Sequence, residues 1–326
     1  MTDADARRDA EHPEKRAVLR ATLLVVVSAC CFGSISTLTV LALESGAALQ
    51  GIQAWRYTTT AVLLIAWAYW RGAPVASDPL MRWWRPKTLL IAGGGQMLIA
   101  TLALTALRWI PAATEAFLFY TFPAWVALLT AVRGHERLDR IRVVALALAL
   151  GGIAFMVGAP SAASLNPMGV AMALTAAVVY AIYIPVLGDL QRTRPALDVS
   201  RAIAVGGGII FMLWALSTGA LFAHFNISTI LASVLQGLLS AGAFLGFLAG
   251  LSTLGPVRTA ITSTVEPFWT SMLGVLVLDQ PVGAGTVIGG VAIMAAVLLL
   301  QRSVVSSAPV RSSSTREDDR KRHLSS

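Results

Sequence analysis

Charge is scarce in this chain. Only 13% of its 326 residues are Asp, Glu, Lys or Arg, against roughly 25% in a soluble domain. With 56% hydrophobic residues and a mean hydropathy of +0.71, the deficit excludes a soluble globular fold. Lysine is nearly missing: Lys15, Lys87 and Lys321 are the only three. The net charge of +8 sits at segment ends and in tails, so no basic stripe with interleaved aromatics exists to bind nucleic acid. Cysteine is limited to the adjacent pair Cys30 and Cys31 inside an apolar run. That pair cannot staple a fold, and nothing nearby has metal-ligand spacing. His12, His135, His224 and His323 are scattered over tails and loops, which excludes a histidine metal site and a Ser-His-Asp triad. No Walker sequence is present, so ATP hydrolysis has no seat. No catalytic residue, metal or cofactor is expected.

Long apolar runs are what the chain has instead. Ten of them, near 22–43, 51–70, 88–107, 111–132, 141–158, 168–188, 201–221, 229–251, 257–277 and 282–301, each approach the roughly 20 residues a helix needs to cross a bilayer. Residues 1–20 and 303–326 are polar, mixed in charge and expected to be disordered tails. The first 20 residues mix acids with bases and precede an apolar run too long for a signal peptide. With the N-terminus inside, 23 of the 25 basic residues fall on the cytoplasmic side, leaving only Arg56 and Arg108 outside. Both termini are expected in the cytoplasm, in a cytoplasmic (inner) membrane.

The chain repeats itself. At an offset of 144 residues, Leu107 meets Leu251, Ala116 meets Ala260, Pro123 meets Pro267 and Trp125 meets Trp269; at 145, Arg56 meets Arg201. Five helices per half force the second half to enter the membrane upside down. The basic loop residues Arg133, Arg137, Arg140 and Arg142 accordingly align with uncharged positions in the second half. Inverted repeats of this kind mark secondary transporters, whose sites lie between the halves near the midplane. The expected organisation is a first repeat over 21–158 and a second over 159–302.

These residues carry a resemblance. Ten helices in two halves, with Pro123-x-Trp125 and Pro267-x-Trp269 in the fourth and ninth, resemble the EamA-like members of the drug/metabolite transporter superfamily. Arg56-Tyr57 opening the second helix, Gly134-x-Glu136-Arg137-Leu138 ending the fourth, and Gly151-Gly152 in the fifth fit the same pattern. In the second half Gln280, after Asp279, stands where the family usually has glutamate; that position ends a helix and is read as structural. The resemblance implies transport of small organic solutes, export being the commoner direction.

The richest stretch is Ile261 to Gln280. Thr259, Thr262, Ser263, Glu266 and Thr270 share one helical face. Pro267 removes a backbone donor and frees the Ser263 carbonyl. A carboxylate at bilayer depth costs several kcal/mol, so it is rarely kept without a use. Glu266 is either a structural acid paired with an arginine or a functional group, binding a substrate amine or carrying a coupling proton. Glu115 either guards the outer mouth or snorkels to water, and an ion pair with Arg56 is a reasonable expectation. Gln96 either faces the pathway or ties two helices together. Tyr120, Thr121, Tyr180, Tyr183, Trp214 and Trp269 are candidates to line an aromatic cavity, or are packing residues. Pro123 and Pro267 kink their helices. Gly242, Gly246, Gly250, Gly285 and Gly289 suit close helix approach, and the runs 93–95 and 206–208 are expected to lend flexibility for rocking.

The expected protein is an all-α integral membrane protein of ten helices in two inverted repeats. Its expected work is alternating-access transport of an organic metabolite or drug-like solute, coupled or not to H+, among membrane lipids, as monomer or homodimer. The competing class is a membrane enzyme or sensor on a helical scaffold; clustered loop His, Asp or Cys, or a soluble module, would mark it, and neither is present.

Overall fold

Without water in the bilayer core, each backbone N–H must pair within its own segment, and helices satisfy that demand. The computed structural model describes residues 3–72, 82–132, 140–158, 165–223 and 226–307, and these contain helices and no strand. In chain order they are α1 (Asp3–Glu44), α2 (Leu49–Trp70), α3 (Pro86–Ala106), α4 (Ala112–Phe119), α5 (Phe122–Val132) and α6 (Arg140–Gly158). There follow α7 (Pro167–Thr193), α8 (Ala196–Ser217), α9 (Ile227–Ser263), α10 (Val265–Leu278) and α11 (Ala284–Ser307). Among the described residues, stretches of α1, α3, α7, α8 and α9 are long and apolar enough to cross a bilayer, and α6, α10 and α11 contain shorter apolar helices.

These eleven stretches make ten segments, because the fourth segment is broken into α4 and α5. The ninth is broken too. It begins inside α9 and resumes as α10 after Thr264. Helical bonding in α9 continues through the expected turn after residue 251, yet the chain reverses there: Gly250 packs on Ala21 and Val25 of α1, whereas Trp269 reaches Ser34, farther along the same helix. The fourth segment breaks at Tyr120–Thr121 and the ninth at Thr264, equivalent places in the repeat. Each break lies just before the repeated proline, which cannot donate to the carbonyl four residues back.

Packing respects the repeat. The third segment lies on the sixth, as the eighth lies on the first. The second lies on the eighth as the seventh lies on the third, while second with seventh, fourth with ninth and fifth with tenth are pairs that the exchange of halves maps onto themselves. Both α1–α9 and α3–α7 run antiparallel: Ser45 meets Thr229 and Ser28 meets Ala243 in the former, Thr88 meets Arg194 and Ala92 meets Tyr183 in the latter.

The glycine runs bring helices into close contact. A Cβ on Gly93 would run into the Gly206 carbonyl carbon, so α3 and α8 touch backbone to backbone. Gly95 and Gly207 lie against the rings of Tyr183 and Tyr57. Gly246 and Gly289 likewise face the Leu24 and Gly152 carbonyls, as their spacing leads one to expect. Large apolar side chains such as Leu23, Val27, Leu213, Leu216 and Leu276 point outward, an arrangement that suits lipid and not water.

Helical geometry in α1 starts at Asp3, inside the stretch expected to be disordered; its Ala, Arg and Glu are strong helix formers. α11 extends to Ser307, and residues 308–326 lie outside the described residues, as does the Gly134–Leu138 motif.

Candidate functional site

The two broken segments meet at their breaks. Tyr120, between α4 and α5, points its hydroxyl at the Ser263 carbonyl, 2.6 Å away, and at Glu266 Oε2, 2.9 Å away. The Ser263 carbonyl is the acceptor that Pro267 leaves without a helical donor, so the freed carbonyl of one broken helix is satisfied from the other. Glu266 is half-buried in the first turn of α10, where the helix dipole favours an anion. No arginine or lysine pairs with it among the described residues. The structural reading of Glu266 as half of an ion pair therefore has no support in those residues.

Neighbouring elements complete the surroundings. From α1, Cys30 lies within electrostatic reach of Glu266; from α4, Glu115; and from α7, Tyr180. Phe119, Phe122 and Tyr180 form an aromatic cluster beside the acid, with ring centroids 5.1 Å apart for Phe119–Tyr180 and 4.9 Å for Phe122–Tyr180. Tyr120 joins it against Phe122 at 5.8 Å. On the α1 side, Trp269 Nε1 donates to Ser34 Oγ over 2.9 Å. Gly33 is needed there: a Cβ at that position would lie 2.6 Å from Thr270 Oγ1 and 3.1 Å from the Glu266 carbonyl oxygen.

The expected hydroxyl stripe is interrupted. The break at Thr264 ends the face after Ser263, and the hydroxyls turn to their own backbone. Ser263 Oγ donates to the Thr259 carbonyl and Thr270 Oγ1 to the Glu266 carbonyl. Thr262 is half-buried in the last turn of α9. What this stretch offers is an acid and a backbone carbonyl, with few hydroxyls left to spare.

Glu115 does not snorkel. It is 5% exposed in the first turn of α4, where an acid suits the helix N-terminus. The expected ion pair with Arg56 is absent. Arg56, 4% exposed, donates through Nε to Ser240 Oγ at 2.8 Å and through a terminal nitrogen to Gln53 Oε1 at 2.9 Å, and lies over the Tyr57 ring. Its repeat partner Arg201 is likewise bonded three residues back, to Asp198, and stacks on Trp83. The two arginines are held alike, by an acid in one half and an amide in the other.

Several of the cavity candidates make contacts within the helix bundle. Tyr183 hydrogen-bonds the Ala92 carbonyl and ties α7 to α3. Trp214 stacks on Phe211 within α8. Thr121 donates to the Leu118 carbonyl and accepts from Trp125 Nε1, trimming the break in its own segment. Gln96 is half-buried on α3, with no hydrogen bond to another helix among the described residues, so it does not act as a tie. Tyr120, Trp269 and Tyr180 are the candidates that gather around Glu266. Sequence reasoning missed Ser34, Cys30, Phe119 and Phe122. Cys30 and Ser34 lie one turn apart on α1, a signal that was readable; the two phenylalanines carried none beyond flanking Tyr120.

Gln280 behaves as its helix-end position suggests. Its side-chain oxygen accepts from the Ala112 N–H at 3.0 Å, capping the start of α4. Asp279 turns the chain in the left-handed region, φ 50°. A cavity of about 390 Å³ opens elsewhere, at the ends of α3 and α7, lined by Arg85, Lys87, Thr88, Ile91, Leu190 and Arg194. Its cationic rim suits anionic headgroups. It shares no residue with the Glu266 site.

The comparisons with known proteins agree with this architecture. The model of the EamA-like transporter family matches residues 19–158 and again residues 167–302. A solved crystal structure is similar over 87% of this chain and 98% of its own length, at 21% identity and a TM-score of 0.60, a likeness of fold alone. No curated protein matches the chain.

Proposed function

This chain belongs to the EamA-like transporter family, and from that premise we propose that it is a secondary transporter moving a small organic solute by alternating access. It is a multi-pass membrane protein of the drug/metabolite transporter type, and members of its family are transporters and not enzymes. On the proposed reading it sits in a cytoplasmic membrane with both termini inside, exports its solute, and works as a monomer or homodimer. The helices of each half pack chiefly on helices of the other, so the moving bodies combine helices from both halves, and they rock about the broken fourth and ninth segments.

One observation carries the assignment of the site. Glu266 carries a carboxyl group inside the helix bundle that is hydrogen-bonded to Tyr120 and has no cationic partner among the described residues. A half-buried acid at membrane depth without a counter-ion asks for a cation, either a proton or the charged end of a solute. The cluster of Phe119, Phe122 and Tyr180 beside it suits a solute with an aromatic or apolar body.

Flux of a panel of organic solutes into proteoliposomes, with and without an imposed pH gradient, tests this reading. Gradient-driven flux that disappears in Glu266→Gln, with the variant still inserted, is the expected result. Wild-type flux and wild-type pH dependence in that variant would overturn the assignment.

A further inference from the structure

Two short oxygen–oxygen contacts converge on the Tyr120 hydroxyl: Ser263 O at 2.6 Å and Glu266 Oε2 at 2.9 Å. Each contact is a hydrogen-bond length, and one proton shared between the two acceptors serves each less well than a proton of its own. Tyrosine brings one O–H, and a backbone carbonyl brings none. A second proton, placed on Glu266, would give each contact a hydrogen bond of its own. In the only arrangement that gives both contacts a full hydrogen bond, the Glu266 carboxyl donates to the Tyr120 oxygen and Tyr120 donates to the Ser263 carbonyl.

We propose that Glu266, Tyr120 and the Ser263 carbonyl form a proton-binding latch, closed in this conformation, that joins the fourth segment to the ninth at their breaks. The inference rests on the reading of Glu266 as the coupling group and adds what its proton does. When the proton leaves Glu266 for solvent, Tyr120 stays neutral and turns its one O–H to the carboxylate. The Ser263 carbonyl then faces an oxygen lone pair at short range, with no helical donor because Pro267 follows four residues later. The two breaks are pushed apart at that point, and the fourth segment is free to move against the ninth. Protonation reverses each step.

The titratable groups within electrostatic reach of Glu266 are Cys30 from α1, Glu115 from α4, Tyr120 from the α4–α5 break and Tyr180 from α7. Among the described residues none of them forms an ion pair with it, and none but Tyr120 hydrogen-bonds it. Tyr120 acts as a positioning residue, translating a proton on α10 into a contact with the backbone of α9.

The test uses the full chain in lipid nanodiscs and needs no solute. Infrared difference spectra between acid and alkaline buffer should show a protonated-carboxyl band that is missing in Glu266→Gln and shifted in Tyr120→Phe. Hydrogen exchange of the peptides spanning the two breaks, corrected for intrinsic rates, should fall at acid pH in the wild type. Glu266→Gln, whose amide donates to Tyr120 as the acid does, should stay protected at every pH. Tyr120→Phe should stay unprotected. A band unaffected by Tyr120→Phe, or exchange at the breaks that follows pH alike in wild type and both variants, would overturn the latch. Failure of this reading and of the transport reading are separable. A pH-switched latch in a protein without proton-coupled flux would sink the function alone, and coupled flux without a switch at the breaks would sink the latch alone.

Discussion

The fourth and ninth segments are built to one plan and used for different ends. Each breaks at the equivalent residue, Tyr120 or Thr264, and each follows with a proline and then a tryptophan two residues on. Each proline frees one carbonyl, that of Phe119 or of Ser263. The Ser263 carbonyl is taken by Tyr120. Tyr120's counterpart is the short Thr264, and among the described residues no side chain reaches the Phe119 carbonyl. The tryptophans diverge as well: Trp125 donates within its own segment to Thr121, whereas Trp269 donates across to Ser34 of α1. Above all, Glu266 stands where the other half has Phe122, which joins the aromatic cluster. Duplication supplied the kink, and divergence put an acid on one side and an aromatic wall on the other.

The largest effect expected from breaking this asymmetry is at the acid. Glu266→Gln abolishes pH-gradient-driven flux while the protein still inserts, and Phe122→Leu, at the equivalent position in the aromatic wall, lowers flux but keeps its dependence on the gradient; parallel proteoliposome assays compare them. Next comes Tyr120→Phe, which removes a hydrogen bond to a carboxyl group worth about 1.5 to 3 kcal/mol when charged. Coupled flux is expected to fall roughly 10- to 100-fold, and a loss under twofold would show that the tyrosine is a packing residue.

Gly33→Ala probes the seam between α1 and α10. Its Cβ would meet Thr270 Oγ1 at 2.6 Å and the Glu266 carbonyl oxygen at 3.1 Å, and overpacking of this kind costs about 1 to 3 kcal/mol. Gly151→Ala has nothing within 4 Å and is the matched control. Thermal unfolding in detergent should separate the two by several degrees. The smallest effect belongs to the tryptophans. Trp269→Phe loses an inter-helical bond of about 0.6 kcal/mol, whereas the bond lost in Trp125→Phe is local. The expected order of melting temperatures is Trp125→Phe above Trp269→Phe, and the reverse order would mean that the cross-helix bond contributes little.

Much of this fold was legible in the sequence because a bilayer imposes length, apolarity and backbone pairing on every segment. The repeat offset placed Pro123 on Pro267 and Trp125 on Trp269, and the equivalent breaks follow from it. Pro267 also pointed to the Ser263 carbonyl as a free acceptor. What stayed hidden was the partner, since the contact of Tyr120 with Ser263 spans 143 residues and depends on how two breaks face each other. The same limit explains Arg56. One charge near another in depth suggested Glu115, but the second segment packs on the eighth, where Ser240 meets it. The hydroxyl stripe was counted on a continuous helix, and the break at Thr264 divided it.

On the proposed function, the acid at the break of the ninth segment, Glu266, couples proton movement to solute movement. The most direct measurement is solute flux in proteoliposomes under an imposed pH gradient, wild type beside Glu266→Gln at equal reconstituted amounts. Gradient-driven accumulation in the wild type and none in the variant is the predicted result. Equal accumulation in both would contradict it.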